Sequence, residues 1–182
     1  LHSFNVRARD AAGNVSGASN IAAITLGGNL LVNGDFENGR FGWSLADGDG
    51  GSSEVVLAEK LAGNQALQIG VASGGDQFQH ISTANTGQKM DGKSYTFMAY
   101  VKTKDIVGQG VQLRSYWIDA SGAFIWENNE TSSRLAGTND WTKLQVTAAA
   151  PAGAYRAVLL IAPVEKNAQG TYWIDQASIY VC

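Results

Sequence analysis

The chain has 182 residues and a formal net charge of −3, room for one domain and a fragment, without the basic excess of a general nucleic-acid binder. Hydrophobic residues make up 45% and supply a core, while only 16% are charged and 22 are glycine, a balance that suits short strands joined by many turns. No apolar run reaches the length of a membrane span, and the single cysteine, Cys182, makes neither an internal disulfide nor a zinc site.

Residues 1–26 alternate in the manner of a strand, with Phe4, Val6 and Ala8 on one face and Asn5, Arg7 and Arg9 on the other. A turn rich in Gly and Asn spans Asp10 to Asn14, a second strand is predicted from Ile21 to Leu26, and Gly27-Gly28 reads as a linker. The run Val6-Arg-Ala-Arg-Asp-Ala-Ala-Gly-Asn-Val-Ser16 resembles the end of a fibronectin type III domain. That resemblance implies that residues 1–28 are the C-terminal hairpin of such a domain plus a linker. A lone hairpin is marginal in water, so it must pack on a neighbour, pair with another chain or stay partly disordered.

The stretch Asn29 to Trp43, Asn-Leu-Leu-Val-Asn-Gly-Asp-Phe-Glu-Asn-Gly-Arg-Phe-Gly-Trp, organises the rest of the chain. Leu30-Leu31-Val32 is too short for a helix, and Leu30 to Phe36 is predicted as a strand. Period two then places Asp35 and Glu37 on one side and Phe36 on the other. An acidic pair beside glycine turns offers hard oxygen ligands of the kind calcium takes. Further strands are predicted at 54–59, 66–71, 78–83, 94–104, 111–119, 124–127, 141–148, 156–162 and 172–181, with Pro151 and Pro163 just outside them. Many short strands, turns between them and no helical period predict an all-β antiparallel β-sandwich, best matched by a jelly roll.

Three segments carry a family resemblance over residues 29–182: the opening motif Asn29 to Trp43, Tyr95-Thr-Phe-Met-Ala-Tyr-Val-Lys102, and Trp173-Ile-Asp-Gln-Ala-Ser-Ile-Tyr180. In that order they resemble the galactose-binding-like β-sandwiches of carbohydrate-binding module families 4, 9, 16 and 22. The resemblance implies a non-catalytic module that binds polysaccharide and sits beside a glycan-degrading catalytic domain in a secreted bacterial polypeptide. An upstream secretion signal is expected on the same ground. It also implies a structural Ca²⁺ between the opening and closing strands, carried over to Asp35 (through its carbonyl), Glu37 and Asp175. A salt bridge or turn hydrogen bonds would serve the same residues, and Gln176 stands where the families show a second acid.

The candidate sugar contacts come from alternation. On 94–104 the residues Tyr95, Phe97, Ala99 and Val101 read as core, which turns Tyr100 and Lys102 outward. On 111–118 the residues Gln112, Arg114 and Tyr116 face out. Aromatic rings stack on the apolar face of a pyranose while amides and guanidinia bond its hydroxyls. Trp43, His80 and Trp126 complete the expected groove, Trp126 as a rim beside Asn128 and Asn129, while Trp43 reads equally as core or cleft edge. The competing reading makes these aromatics ordinary cross-strand pairs. Neutral β-glycans suit the rings and amides, whereas uronic-acid polymers suit Lys102 and Arg114. Paired catalytic carboxylates are not presented between the aromatic strands, and the nucleophile-elbow, zincin and P-loop patterns are absent. A jelly-roll polysaccharide lyase, using His80, Tyr116, Arg114 and Gln112, and a spacer or adhesion domain remain the alternatives.

Overall fold

One strand joins both layers of this protein. The computed structural model describes residues 2–4, 10–14, 22–24, 28–45, 51–72, 80–85, 90, 92–165 and 167–182, with backbone alone at 2–4, 22–24 and 80–85. Among them run β1 (His2–Phe4), β2 (Ala22–Ile24), β3 (Trp43–Leu45), β4 (Gly51–Val56), β5 (Ala66–Val71) and β6 (His80–Asn85). Then come β7 (Ser94–Ile118), β8 (Phe124–Ile125), β9 (Leu135–Ala149), β10 (Arg156–Pro163) and β11 (Gln169–Val181). Among the described residues there is no helix. β1 and β2 pair antiparallel as a two-stranded sheet of their own. The turn at Asp10–Asn14 closes on hydrogen bonds from the Asn14 N–H and side-chain amide to the Asp10 carboxylate.

The two predicted strands 94–104 and 111–119 are a single strand of 25 residues, β7. Its first half pairs with β9 on one edge and β11 on the other, continuing through β5 to β4. Its second half pairs with β10 and β8, continuing through β6 to β3. Between the halves the backbone turns a corner, with φ of 55° at Asp105, 93° at Gly108 and 98° at Gly110. Glycine is required at the last of these, because a Cβ on Gly110 would stand 2.6 Å from the Leu135 carbonyl oxygen. The corner folds β7 back on itself. Tyr95 and Phe97 from the first half each meet Trp117 of the second edge-on, at 5.6 Å between ring centroids.

That contact fixes the inside of the sandwich. Period two on the first half sends Tyr95, Phe97, Ala99 and Val101 inward, and on the second half Val111, Leu113 and Trp117. Leu159 and Ile161 of β10, Leu144 of β9 and Ile174 and Ile179 of β11 close the core. Trp117 is fully buried and its indole N–H donates to the Asn128 carbonyl at 3.1 Å, so its burial contributes about 1.5–3 kcal/mol without an orphaned donor. The expected antiparallel β-sandwich is the observed fold.

The opening segment departs from expectation. Residues 30–36 are turns, not a strand, with Asn33 and Phe36 at φ of 55° and 57°. Local side-chain bonds win over the ladder here. The Asn33 amide donates to the Gly39 and Phe41 carbonyls while its oxygen accepts from the Asn38 N–H. Pro163 likewise lies inside β10 as its last residue, where it ends the strand.

Candidate functional site

Because the inner faces of the two β7 halves touch each other, their outer faces point to opposite sides of the sandwich. Tyr100 and Lys102 belong to the outer face of the β4–β5–β11–β7–β9 layer. Gln112, Arg114 and Tyr116 belong to the outer face of the β3–β6–β10–β7–β8 layer. The single groove expected from alternation is therefore divided in two. Each residue lies on the side that its strand pattern requires, though Gln112 is buried there at 5% exposure, and the corner in β7 separates the two groups.

The richer surface is the second. The hairpin from β7 to β8 is closed by Asp119, whose Oδ1 accepts from the Ser121 N–H and hydroxyl at 2.8 and 2.6 Å and from the Ala123 N–H at 2.9 Å. These bonds, led by that from Ser121, hold the Asp119 carboxyl below the usual range. The turn sets Phe124 opposite Ile118, on the outer face. Trp126 follows one residue beyond β8. Phe124 and Trp126 lie nearly parallel, 5.7 Å apart at 24°, and both are exposed, Trp126 to 73%. Tyr116 stands edge-on to both, at 6.2 Å from Phe124 and 6.1 Å from Trp126. It is half-buried and acts as a buttress beneath the two exposed rings.

Beside the rings lies a polar pair. With the Gln112 amide oxygen turned toward it, the Arg114 guanidinium donates from Nε at 2.6 Å and Nη2 at 3.0 Å. Arg156 begins β10 opposite Ile118, and its alternation with core residues Ala157, Leu159 and Ile161 turns it to the same outer face. Its Nε is buried and has no hydrogen-bond partner. Among the described residues no carboxylate stands within ion-pair distance of Arg114 or Arg156. Val158, Leu160 and Ala162 of β10 lie between these side chains as a buried apolar floor. The segment after Trp126 is held against β7 by reciprocal bonds, Ser115 N–H to the Glu130 carbonyl and Glu130 N–H to the Ser115 hydroxyl, each 2.9 Å.

The remaining candidates fall elsewhere. Trp43 is a core residue: it is 8% exposed, its ring lies 4.7 Å from Phe36, and its indole N–H donates to the Asn33 carbonyl at 3.0 Å. No face of it is left for a ligand. His80 stands opposite Leu45 and Ile161 in the ladder, and its side chain lies outside the described residues. Lys102 donates to Glu59 at 2.8 Å, with Asp140 at 3.8 Å, and the Glu59 bond raises its pKa. That cation is matched and offers no free charge to an acidic ligand. Sequence reasoning missed Phe124 and Arg156, although the alternation of residues 156–162 carried the signal for the arginine.

The expected calcium ligands hold a loop. Glu37 Oε1 accepts from the Asn64 and Gln65 N–H groups at 2.6 and 2.9 Å, and Oε2 from the Asn64 side-chain amide at 2.9 Å. These bonds, led by the Asn64 N–H, pull its pKa down. Asp175 is fully buried; Oδ2 accepts from the Leu61 and Ala62 N–H groups at 2.9 and 3.1 Å, and Oδ1 from the Gln176 N–H at 2.7 Å. Desolvation outweighs these bonds and raises its pKa. Asp35 accepts only a long bond, 3.5 Å, from the Glu37 N–H. Calcium needs six to eight oxygens, and here both acids are faced by N–H donors. Among the described residues no three Asp, Glu, His or Cys side chains gather. The donor set does not fit the expected ion.

No protein-family model matches the chain. The tRNA nuclease WapA of Bacillus subtilis strain 168 is 31% identical over 159 residues, which is 83% of this chain and 7% of that protein. The chain thus spans a small part of the curated relatives it matches. Among solved structures, a family 16 carbohydrate-binding module superposes with a TM-score of 0.57 at 22% identity, over 83% of this chain and 99% of that one. The enzymatically active domain of the bacteriophage CBA120 tailspike protein 4 gives 0.68 at 15% identity, over 85% of this chain and 21% of that one. Family 22 xylan-binding modules share the same sandwich. These likenesses establish the fold.

Proposed function

We propose that this chain is a non-catalytic glycan-binding module that lays a polysaccharide across the outer face of the β3–β6–β10–β7–β8 layer. The observation that carries the reading is the exposed Phe124–Trp126 pair, buttressed by Tyr116 and flanked by Arg114 and Gln112. Two nearly parallel exposed rings beside the half-buried Arg114 guanidinium, which the buried Gln112 amide holds in place, supply stacking faces and a hydroxyl partner together. The likeness to carbohydrate-binding modules of families 16 and 22 supports it. Two arginines without carboxylate partners favour a polymer bearing acidic groups over a neutral one.

The module works as an attached part of a longer polypeptide, as its match to 7% of a nuclease accords with. Its role there is to hold the polypeptide to a glycan, so the attached catalytic region is not restricted to glycan-degrading enzymes. Secretion and the fibronectin-like identity of residues 1–28 belong to the same proposal. Affinity electrophoresis in gels containing polygalacturonate, alginate, xylan or β-mannan tests it. Retardation by at least one polymer, reduced in Trp126→Ala, is the expected result. Equal mobility in all four gels, or retardation unchanged in Trp126→Ala, would overturn the reading.

A further inference from the structure

The opposite face of the sandwich holds a cavity that the proposed polysaccharide surface does not use. It is a half-open recess of about 350 Å³ between the opening segment, β7 and β11. Met98 and Ser178 are ladder neighbours and form its floor. Tyr100, opposite Asp175, and Tyr180, opposite Thr96, line its two ends. Exposed Asp35 and half-buried Gln176 complete the groups that matter.

A bulge in β11 makes the cavity. The register slips between Asp175 and Ser178, and Gln176 takes a φ of 51°. The Ala177 N–H is thereby turned to the Gly34 carbonyl at 2.7 Å. The two backbones touch so closely that a Cβ on Gly34 would lie 1.9 Å from the Ala177 oxygen. Asn29 fastens the wall, donating to the Ala177 carbonyl at 2.9 Å and accepting from the Leu31 and Ile179 N–H groups at 3.0 Å each. The walls are therefore fixed in advance of any ligand.

Inside this rigid frame, the Ser178 hydroxyl is 2% exposed and has no hydrogen-bond partner. Buried hydroxyls ordinarily find one, so a partner from outside the chain is implied. The lining offers hydroxyls, an amide and a carboxylate, and it contains no cation. An anion would be repelled by Asp35, and a purely apolar ligand would leave Ser178 unpaired. A neutral ring with one apolar face and several hydroxyls meets all of these groups at once. We propose that the cavity is a second binding site, which takes a single neutral sugar residue: a monosaccharide or the terminal unit of a glycan. The site stands independently of the Trp126 surface, because it lies on the other layer.

Amide NMR of the whole chain tests this with the methyl glycosides of glucose, galactose, mannose and xylose, each titrated to about 50 mM, the range that detects millimolar affinity. At least one glycoside is expected to shift the Gly34, Ala177, Ser178 and Tyr180 amides saturably. Ser178→Ala should weaken that binding about tenfold and Tyr180→Ala at least as much, since truncating a central contact commonly does so. Trp126→Ala should leave it intact. If all four glycosides leave these amides unmoved, the cavity holds only water and the proposal fails. Shifts that survive in Ser178→Ala and disappear in Trp126→Ala would equally overturn it, while sparing the polysaccharide surface. Should Tyr180→Ala lose native amide dispersion, Ser178→Ala carries the test.

Discussion

Replacing Asp175 by Ala tests whether backbone amides have taken the place of an ion. Its buried carboxylate accepts from three backbone N–H groups, Leu61 at 2.9 Å, Ala62 at 3.1 Å and Gln176 at 2.7 Å. Desolvation outweighs these bonds for the ionised carboxylate, so the cost of the substitution lies in the amides left behind. An unpaired buried donor costs about 1–3 kcal/mol, and with Leu61 and Ala62 in exposed positions a net loss of about 2–4 kcal/mol is expected from the three. For a domain of this size each kcal/mol moves Tm by about 2–4 °C, so a fall of roughly 4–16 °C is expected in thermal melts followed by circular dichroism. The companion melt compares the wild type in millimolar Ca²⁺ and in EDTA, where no difference is expected. Calcium at a hundredfold excess over its dissociation constant would add about 2.7 kcal/mol, or roughly 5–11 °C. A rise of that size in the wild type, lost in Asp175→Ala, would refute the amide-clasp reading and restore the ion.

The neighbouring acid has the opposite pH sign. The pKa of Glu37 is lowered by its loop amides, so its contribution is present above the unfolded-state value and is lost as pH falls through the folded one. The pKa of Asp175 is raised, so its contribution is fully present below the unfolded value and is lost as pH rises through the folded one. The Tm gap between wild type and Glu37→Gln should therefore narrow on acidification below about pH 4; a gap that widens would contradict the assignment. Gly34→Ala should cost about 1–3 kcal/mol, because its Cβ meets the Ala177 carbonyl, and melts should show a fall of several degrees. An unchanged Tm would mean that the opening segment is not pressed against the bulge. Arg156→Gln should weaken binding to polygalacturonate and flatten its dependence on NaCl, while leaving any binding to the methyl-esterified polymer unaltered. An equal loss on both polymers would remove charge from the recognition.

Alternation along the strands was legible to a fine grain. The inward set Tyr95, Phe97, Ala99 and Val101 is buried and Arg114 and Tyr116 are half-buried on the other face, as the period of two places them, whereas Gln112 on that same face is buried. What alternation does not encode is which layer a strand belongs to. Residues 105–110 read as a loop between two strands because they are rich in Gly. They are instead the corner of one strand, with three residues at positive φ. The misplaced Trp43 has a similar cause. Its sequence neighbourhood of glycines is compatible with exposure, and only the turn at Asn33, brought back to accept from the indole N–H, seals it inside. Likewise Glu37 and Asp175 are acids at the expected positions beside the expected loop near Lys60 to Gly63, but that loop turns N–H groups of residues 61–65 toward them rather than carbonyl oxygens.

The corner in β7 also explains how one chain can carry two unlike recognition surfaces. A strand confined to one sheet would display Tyr100, Lys102, Gln112, Arg114 and Tyr116 along one side, mixing a lysine paired to Glu59 with an arginine that has no carboxylate partner. Turning between Asp105 and Gly110 sends the first pair to a layer where the bulge of β11 makes a walled cavity without a cation in its lining. It sends the other three to a layer where a tight hairpin lifts Phe124 and Trp126 above the sheet. A recess with no cation in its lining suits one uncharged sugar unit, whereas an open pair of rings beside guanidinia without carboxylate partners suits an extended acidic chain. The two surfaces therefore differ in ligand length and charge for one structural reason, and variants on one layer should leave binding at the other unchanged, since no described side chain belongs to both.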